Sequence, residues 1–222
     1  MNININESKS VAFFDVDETL INMKSMFDFL QYWYQGRNEE EKLKSYMSNF
    51  KIEVKNGTSR EQLNKGYYRQ FKGVNYSDLV KSGEKWFSSV LDENLFINES
   101  IEALKRHQTQ NIDIVFVSGS MFPLLSPIAK HLGVKHILCA PIELNSDGIV
   151  TGEIGTPQTI GNGKKEAILH FCNKKNIDPE KCYAYGDDVS DIPMMEITGH
   201  PICVGKKSNL SIHAILHGWK II

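Results

Sequence analysis

Val11-Ala12-Phe13-Phe14-Asp15-Val16-Asp17-Glu18-Thr19-Leu20 begins as an apolar run and turns acidic at its fifth residue. Four apolar residues without polar alternation suit a strand covered on both faces, as in parallel sheets. Two carboxylates two positions apart, at the end of such a strand, repel each other. A divalent cation, or one raised pKa, relieves that repulsion. In extended chain, residues i and i+2 share a face, so Asp15 and Asp17 can address one ligand. A plain strand-to-helix turn with an Asp cap would use the same residue types.

Outward from this stretch the pattern repeats. Residues 112–117 form a second apolar run, ending at Ser118-Gly119-Ser120; residues 136–140 form a third. Residues 182–185 form a fourth, ending at Gly186-Asp187-Asp188, and residues 201–204 a fifth. Helical stripes lie between most of them. Leu124, Leu125, Ile128, Ala129 and Leu132 make one, stopped by Gly133; Ala167, Ile168 and Phe171 make another. Strand alternating with helix predicts an α/β fold with a doubly wound parallel sheet. Polar residues gather at the carboxyl ends of these strands, where open α/β sheets bind ligands. Asp147-Gly148, between residues 142–144 and 149–150, predicts a short hairpin.

Residues 21–97 read differently. Met26, Phe27, Leu30, Trp33 and Tyr34 fall on one helical face. Asn38 with Glu41 resembles a capping box ahead of Leu43, Tyr46, Met47 and Phe50. Thr58 with Glu61 resembles another, ahead of Leu63, Tyr67 and Phe71. Leu79, Trp86, Phe87, Val90 and Leu91 suggest a last helix. The expected organisation is a core of residues 1–20 and 98–222, with an all-helical cap, residues 21–97, inserted between its first two strands.

Composition narrows the function classes. The chain has 222 residues, 41% hydrophobic and 23% charged, with a net charge of −2. That balance offers no general attraction to nucleic acid or to an anionic membrane. The cap region carries 12 Lys and Arg against 10 Asp and Glu, which makes no basic funnel for a polymer. No apolar run approaches the roughly 18 residues of a membrane span. The segment before Ser10 is polar and has no apolar signal core, so a cytoplasmic location is expected. Cys139, Cys172, Cys182 and Cys203 form no CxxC pair, which argues against zinc and for buried thiols in a reducing compartment. Nothing in the sequence fixes an oligomeric state.

Three further motifs add to the first. The hydroxyl of Ser118 and the free backbone N–H groups near Gly119, at a strand-to-helix junction, suit a phosphate oxygen. A helix cap with a turn glycine would look the same. Gly161-Asn162-Gly163-Lys164-Lys165 opens a helix with a lysine that can stabilise developing charge. A solvated lysine pair is the plainer reading, and this is not a Walker A loop. Gly186-Asp187-Asp188-Val189-Ser190-Asp191 puts three carboxylates within five residues, a hard-oxygen set that favours magnesium over zinc. An acidic loop capped by Asp191 is its alternative. What raises the four above their alternatives is order: each falls at a strand end or the next helix start, and on one doubly wound sheet those points converge.

In this combination the chain resembles the haloacid dehalogenase superfamily. It is most similar to the branch of phosphoserine phosphatase and related small-molecule phosphatases, subfamily IB. The resemblance covers nearly the whole chain, the helical cap included. Asp15-Val16-Asp17-Glu18-Thr19 matches the first motif of the family, Ser118 the second, Lys164 the third, and Asp187 with Asp191 the fourth. The resemblance implies that Asp15 attacks phosphorus and carries an aspartyl-phosphate, while Asp17 protonates the leaving alcohol and then activates water. It implies a magnesium ion held by Asp15, the Asp17 main-chain carbonyl and Asp187. Phosphate binding falls to Thr19, Ser118, Gly119 and Lys164, with Thr19 also orienting the first motif; Asp188 and Asp191 support the site. Lys165 is the stand-in for Lys164. The chain has Glu18 and Ser190 where phosphoserine phosphatases usually carry Ser and Asn. The cap has no clear counterpart of their substrate-reading Glu and Arg, so the leaving group stays open.

The expected activity is hydrolysis of a small phosphorylated metabolite. A phosphotransferase or phosphomutase would use the same Asp15 chemistry. A non-catalytic binding protein of this fold would be expected to lack Asp15 or Lys164.

Overall fold

In the computed structural model, which describes residues 9–222, the opening run is a fully buried strand, β1 (Val11–Phe14). Apart from Lys9, the polar N-terminal segment lies outside the described residues. β1 sits between β2 (Asp113–Met121) and β6 (Tyr183–Gly186), parallel to both. β3 (His136–Ala140) pairs with β2, while β7 (His200–Cys203) and β8 (Lys220–Ile221) continue beyond β6. The result is a parallel sheet of order β3-β2-β1-β6-β7-β8. Phe13 points into one apolar cluster with Val115, Ala184, Ile168 and Met194. Phe14 points into the other with Phe116 and Tyr185. Burial on both faces is the reason the strand sequences do not alternate. The winding reverses between β1 and β6, and the crevice beyond those two strand ends is where such a sheet receives ligands.

Between β1 and β2 the chain forms α1 (Ser25–Gln35), α2 (Glu40–Lys55), α3 (Arg60–Tyr68) and α4 (Tyr76–Val90), followed by α5 (Asn98–Thr109). No strand occurs among the described residues there, only isolated bridges such as Ile21 with Phe96. The apolar cluster runs without a break from Phe29, Trp33, Phe71 and Trp86 to Leu124, Leu125 and Ile128 of α6 (Phe122–His131). α4 approaches α6 so closely that a Cβ at Gly83 would lie 2.1 Å from the Pro123 carbonyl oxygen. α2, by contrast, buries none of its residues fully. It leans on α1 through Phe50 and Phe27, whose rings are 5.0 Å apart.

The hairpin is formed by β4 (Ile142–Leu144) and β5 (Val150–Ile154). It is tied to the helical region by Gly73 N–H donating to the Val150 carbonyl at 2.9 Å. α7 (Asn162–Lys175), α8 (Ile192–Met195) and α9 (Asn209–His217) complete the chain. The four cysteines are free thiols, three buried and Cys139 half-buried. No described helix is long and apolar enough to cross a membrane.

Three expectations need correction. Asn38 is not a cap: it adopts a left-handed turn at φ 54°, and α2 starts without a side-chain cap. Ser59, not Thr58, caps α3 by accepting from Gln62 N–H. β2 runs four residues past Val117, through Met121, so Ser118 belongs to the strand itself. β8 was not foreseen, because two residues carry no periodicity.

Candidate active site

The carboxyl ends of β1 and β6 and the first turn of α7 meet at one point. Asp15 follows β1, with its backbone N–H donating to the Tyr185 carbonyl at 3.0 Å. Lys164 enters from α7 and is only 4% exposed. Its Nζ stands 2.7 Å from Asp15 Oδ1 and 2.6 Å from Asp191 Oδ1. Lys165, on the next face of the helix, is half-buried and makes no ion pair among the described residues, so Lys164 is the lysine at Asp15.

The loop after β6 is bracketed by Asp191. Its Oδ2 accepts the backbone N–H groups of Asp187 and Asp188, both at 3.2 Å. Gly186 allows this: a Cβ there would lie 2.6 Å from Asp191. Thr19 is fully buried and donates to Asp187 Oδ1 at 2.8 Å. Its hydroxyl is thus committed to Asp187 rather than open to a phosphate. Asp188 accepts from Ser190 N–H at 2.9 Å and from the Arg60 guanidinium of α3. Ser118 Oγ accepts from Ser120 N–H at 3.1 Å, and the Ser118 carbonyl accepts from Thr159 Oγ1. The Gly119 carbonyl accepts from Asn64 Nδ2, also of α3, at 3.1 Å.

The electrostatics follow from this crowding. Burial pushes Asp15 well above the carboxylate range; Lys164 opposes this, while Asp191 and Asp187 add to it. Asp187 is pushed up to about 7, by burial and then by Asp191. Burial raises Asp17 to about 6, with hydrogen bonds from Ser25 holding it from going higher. Burial also lifts Asp188, but its bonds to Ser190 and Arg60 outweigh this and leave it below the usual range. Lys164 is the reverse case: burial disfavours its charge, and Asp15 and Asp191 overcome that.

The arrangement fits a divalent cation. Carboxylate oxygens of Asp15, Asp187 and Asp191 lie within 4.8 Å of one another. Three ionised carboxylates against one ammonium leave two negative charges in a buried site, and burial without compensation is costly. Both oxygens of Asp191 are already engaged by Lys164 and the loop amides. Asp15 and Asp187 are therefore the side chains free to offer an oxygen. The donors are hard oxygens, which suit magnesium.

Above this floor is a cavity of about 520 Å³, lined on the floor side by Asp15, Asp17, Ser118, Gly119, Lys164 and Asp187. Sequence reading missed several residues around it. Ser25 is fully buried, stands beside Asp17 and lies 3.2 Å from Ser120 Oγ. Arg60, Asn64 and Tyr67 reach the cavity from α3, and Tyr46 from α2. The one signal for Asn64 was a buried-face position occupied by an amide, between Arg60 and Tyr67 at helical spacing.

The family model of haloacid dehalogenase-like hydrolases matches residues 12–196. A Mycobacterium tuberculosis protein named a probable phosphatase is 28% identical over 220 residues, covering 97% of this chain and 75% of its own. A histidinol-phosphatase of Neisseria meningitidis is 22% identical, over 96% of this chain and 98% of its own. Among solved structures, a Bordetella pertussis protein of unknown function superimposes with a TM-score of 0.86, at 22% identity, over 97% of this chain and 98% of that one. A phosphoserine phosphatase, solved as an analogue of its phospho-aspartyl intermediate, gives a TM-score of 0.65 at 20% identity, over 96% and 100%. At these identities the two structures share the fold.

Proposed function

The chain belongs to the haloacid dehalogenase-like hydrolases, and from that membership we propose that it is a magnesium-dependent phosphatase of small phosphomonoesters. The observation that carries the proposal is the buried Lys164 ammonium bridging Asp15 and Asp191 at 2.7 and 2.6 Å beneath a cavity that also reaches Asp17. A nucleophile, a proton donor and a fixed positive charge thus share one site.

In the proposed reaction an Asp15 carboxylate oxygen attacks phosphorus, and the bond from phosphorus to the leaving oxygen breaks. Asp17 gives its proton to that oxygen, and a small alcohol departs. Asp17, now ionised, takes a proton from water, whose oxygen attacks the aspartyl-phosphate. Inorganic phosphate leaves and Asp15 is restored. A carboxyl held near pH 6 by burial suits both halves, because it can carry and accept a proton close to neutrality. Lys164 holds the phosphoryl oxygens and the nucleophile together as charge develops. The Ser118 hydroxyl and the Gly119 backbone N–H add hydrogen bonds to the phosphoryl group. Asp15, Asp187 and the Asp17 carbonyl would hold the magnesium ion, which neutralises phosphoryl charge when bound. Thr19 positions Asp187, and Asp191 positions Lys164 and the loop amides.

Residues 21–97 act as the cap in this reading and residues 98–222, with the chain up to Leu20, as the core. A cavity of about 520 Å³ is of the size that takes a metabolite. Relatives and neighbours are named for histidinol-phosphatase and phosphoserine phosphatase activity, which sets two substrate types to compare.

The test is phosphate release from p-nitrophenyl phosphate. Activity is expected with magnesium, is lost in EDTA and is not restored by calcium, whose looser shell can engage both Asp15 oxygens. Full activity in metal-free buffer would reject the proposal. Transfer of the phosphoryl group to an acceptor alcohol, without inorganic phosphate, would mark a phosphotransferase instead.

A further inference from the structure

The wall of the cavity facing the catalytic floor differs from it in kind. Phe27, Phe50 and Leu63 give it apolar surface. Among them stand three polar residues, and Asn64 Oδ1, Tyr67 OH and Tyr46 OH are each buried with no hydrogen-bond partner among the described residues. Leaving one such group unpaired costs about 1–3 kcal/mol in mutational data. Three of them on one wall, on adjoining helices, is a concentration that packing alone does not call for. Asn64 and Tyr67 are 5% and 1% exposed and lie three residues apart on α3, on the same side of the helix. The amide of Asn64 has a fixed sense. Only its Nδ2 can donate to the Gly119 carbonyl, so the unpaired atom is an acceptor.

Cations on this cavity are already spoken for. Lys24 pairs with Glu18 at 3.2 Å, Arg60 with Asp188, and Lys164 with Asp15 and Asp191. Among the described residues these three are the basic ones lining it. A carboxylate on the leaving group would find no free positive charge there. An ammonium or hydroxyl would find the Asn64 oxygen and two phenols, beside apolar side chains that suit a carbon skeleton.

We infer that this wall reads the leaving alcohol: the Asn64 oxygen accepts a hydrogen-bond donor, the Tyr67 and Tyr46 hydroxyls bond beside it, and the cations that could hold a carboxylate are already paired. The substrate class is then a phosphorylated amino alcohol or diol without an acid group. The inference rests on the phosphatase reading, and it departs from an amino-acid phosphate as substrate. Tyr67 and Asn64 are specificity residues here, because a substrate donor removes the unpaired state that the free protein carries.

A matched pair separates the two possibilities: phosphoethanolamine is phosphoserine without the carboxylate. L-histidinol phosphate adds an aromatic group to the same amino alcohol. With p-nitrophenyl phosphate turnover as the control for the chemistry, kcat/KM for phosphoethanolamine and histidinol phosphate is expected to exceed that for phosphoserine by about tenfold or more, the scale of one unmet polar contact. Phosphoserine turned over equally well or better overturns the inference. Calorimetry on Asp15→Asn with magnesium reads binding of the same three esters without turnover, so the wall is tested even if no phosphate is released. The same order of affinity is expected there, and equal affinities would overturn the inference. Tyr67→Phe supplies a readout that a structural role would not give. Removing an unpaired buried hydroxyl is expected to leave the Tm unchanged or raise it, while the preference for phosphoethanolamine over phosphoserine shrinks about fivefold to tenfold. A lowered Tm with unchanged preference would show the hydroxyl to be a packing element and sink the assignment.

Discussion

The floor and the opposite wall of the cavity are built on opposite principles. On the floor nearly every polar atom is held by the protein: Lys164 by two carboxylates, Asp191 by Lys164 and two amides, Asp187 by Thr19, Ser118 by Ser120. Asp17 Oδ1 is buried without a partner among the described residues, and Asp15 and Asp187 each keep an oxygen that a cation can take. On the wall, the Asn64 oxygen and the Tyr67 and Tyr46 hydroxyls are unpaired among the described residues. Fixed dipoles and charges suit a group common to all substrates, because nothing must reorganise during the reaction. Unpaired groups suit the part that must be recognised, since they reward only the ligand that satisfies them. The difference teaches where chemistry ends and selection begins.

If the floor is the chemical half, substitutions there should cut turnover of every substrate. Asp15→Asn removes the nucleophile and is expected to lower kcat by at least about 10⁴-fold for all phosphomonoesters. Steady-state phosphate release from a fresh sample, free of deamidated protein, checks this. Wild-type-like rates would end the covalent account.

Asp17→Asn sharpens the comparison from the other side. Losing a general acid typically costs about 10²–10⁴-fold. The loss should be large for alkyl phosphates and small for p-nitrophenyl phosphate, whose leaving group needs no proton. Equal losses on both would assign Asp17 to geometry alone. With Asp17 held near 6 by burial, the protonated form declines as pH rises through that value. Alkyl phosphate turnover should therefore fall with rising pH more than aryl phosphate turnover.

Lys164→Met tests the floor as structure. It leaves Asp15 and Asp191 buried without their common partner, and breaking one side of a buried pair costs about 3–5 kcal/mol. Chemical denaturation should show that loss at neutral pH and little of it in acid, where the carboxylates are protonated. A stability change under 1 kcal/mol at neutral pH, which is about the worth of an exposed pair, would mean the pair is solvated in solution.

The smallest expected effect lies where the two halves touch. Arg60 joins α3 to Asp188 and Ser190, and both side chains of the ion pair are substantially exposed. Such pairs contribute about 0.2–1 kcal/mol, so Arg60→Ala should change KM by about fivefold at most, with kcat nearly intact. A collapse of kcat would move Arg60 from the wall to the floor.

The floor was legible in the sequence and the wall was not, for physical reasons. Asp15, Ser118 and Asp187 each interrupt an apolar strand, and a polar residue at the end of a buried strand stands out in one dimension. Lys164 gained weight only from its place in their order. Ser25, Asn64 and Tyr67 sit inside helices and read as cap or core residues. Their meaning depends on what they fail to touch, which is a property of the folded chain. The helical insert was readable from its apolar faces, yet Ser59 rather than Thr58 caps α3 and Asn38 turns left-handed, because neighbouring polar residues compete for one cap. The unbroken packing between the insert and α6 through Gly83 and Pro123 could not be read either, since the two segments are 40 residues apart.

The central claim is that Asp15 carries the phosphoryl group. Acid quenching of the Asp17→Asn protein during turnover of p-nitrophenyl phosphate with magnesium, followed by peptide mass spectrometry, tests it directly. Water attack is slowed in that protein, so the intermediate should accumulate. The account predicts one added phosphoryl group on the peptide containing Asp15, absent when Asp15 is also replaced by Asn. Continued release of inorganic phosphate with no phosphoryl group on that peptide, or with the group on another residue, would contradict it.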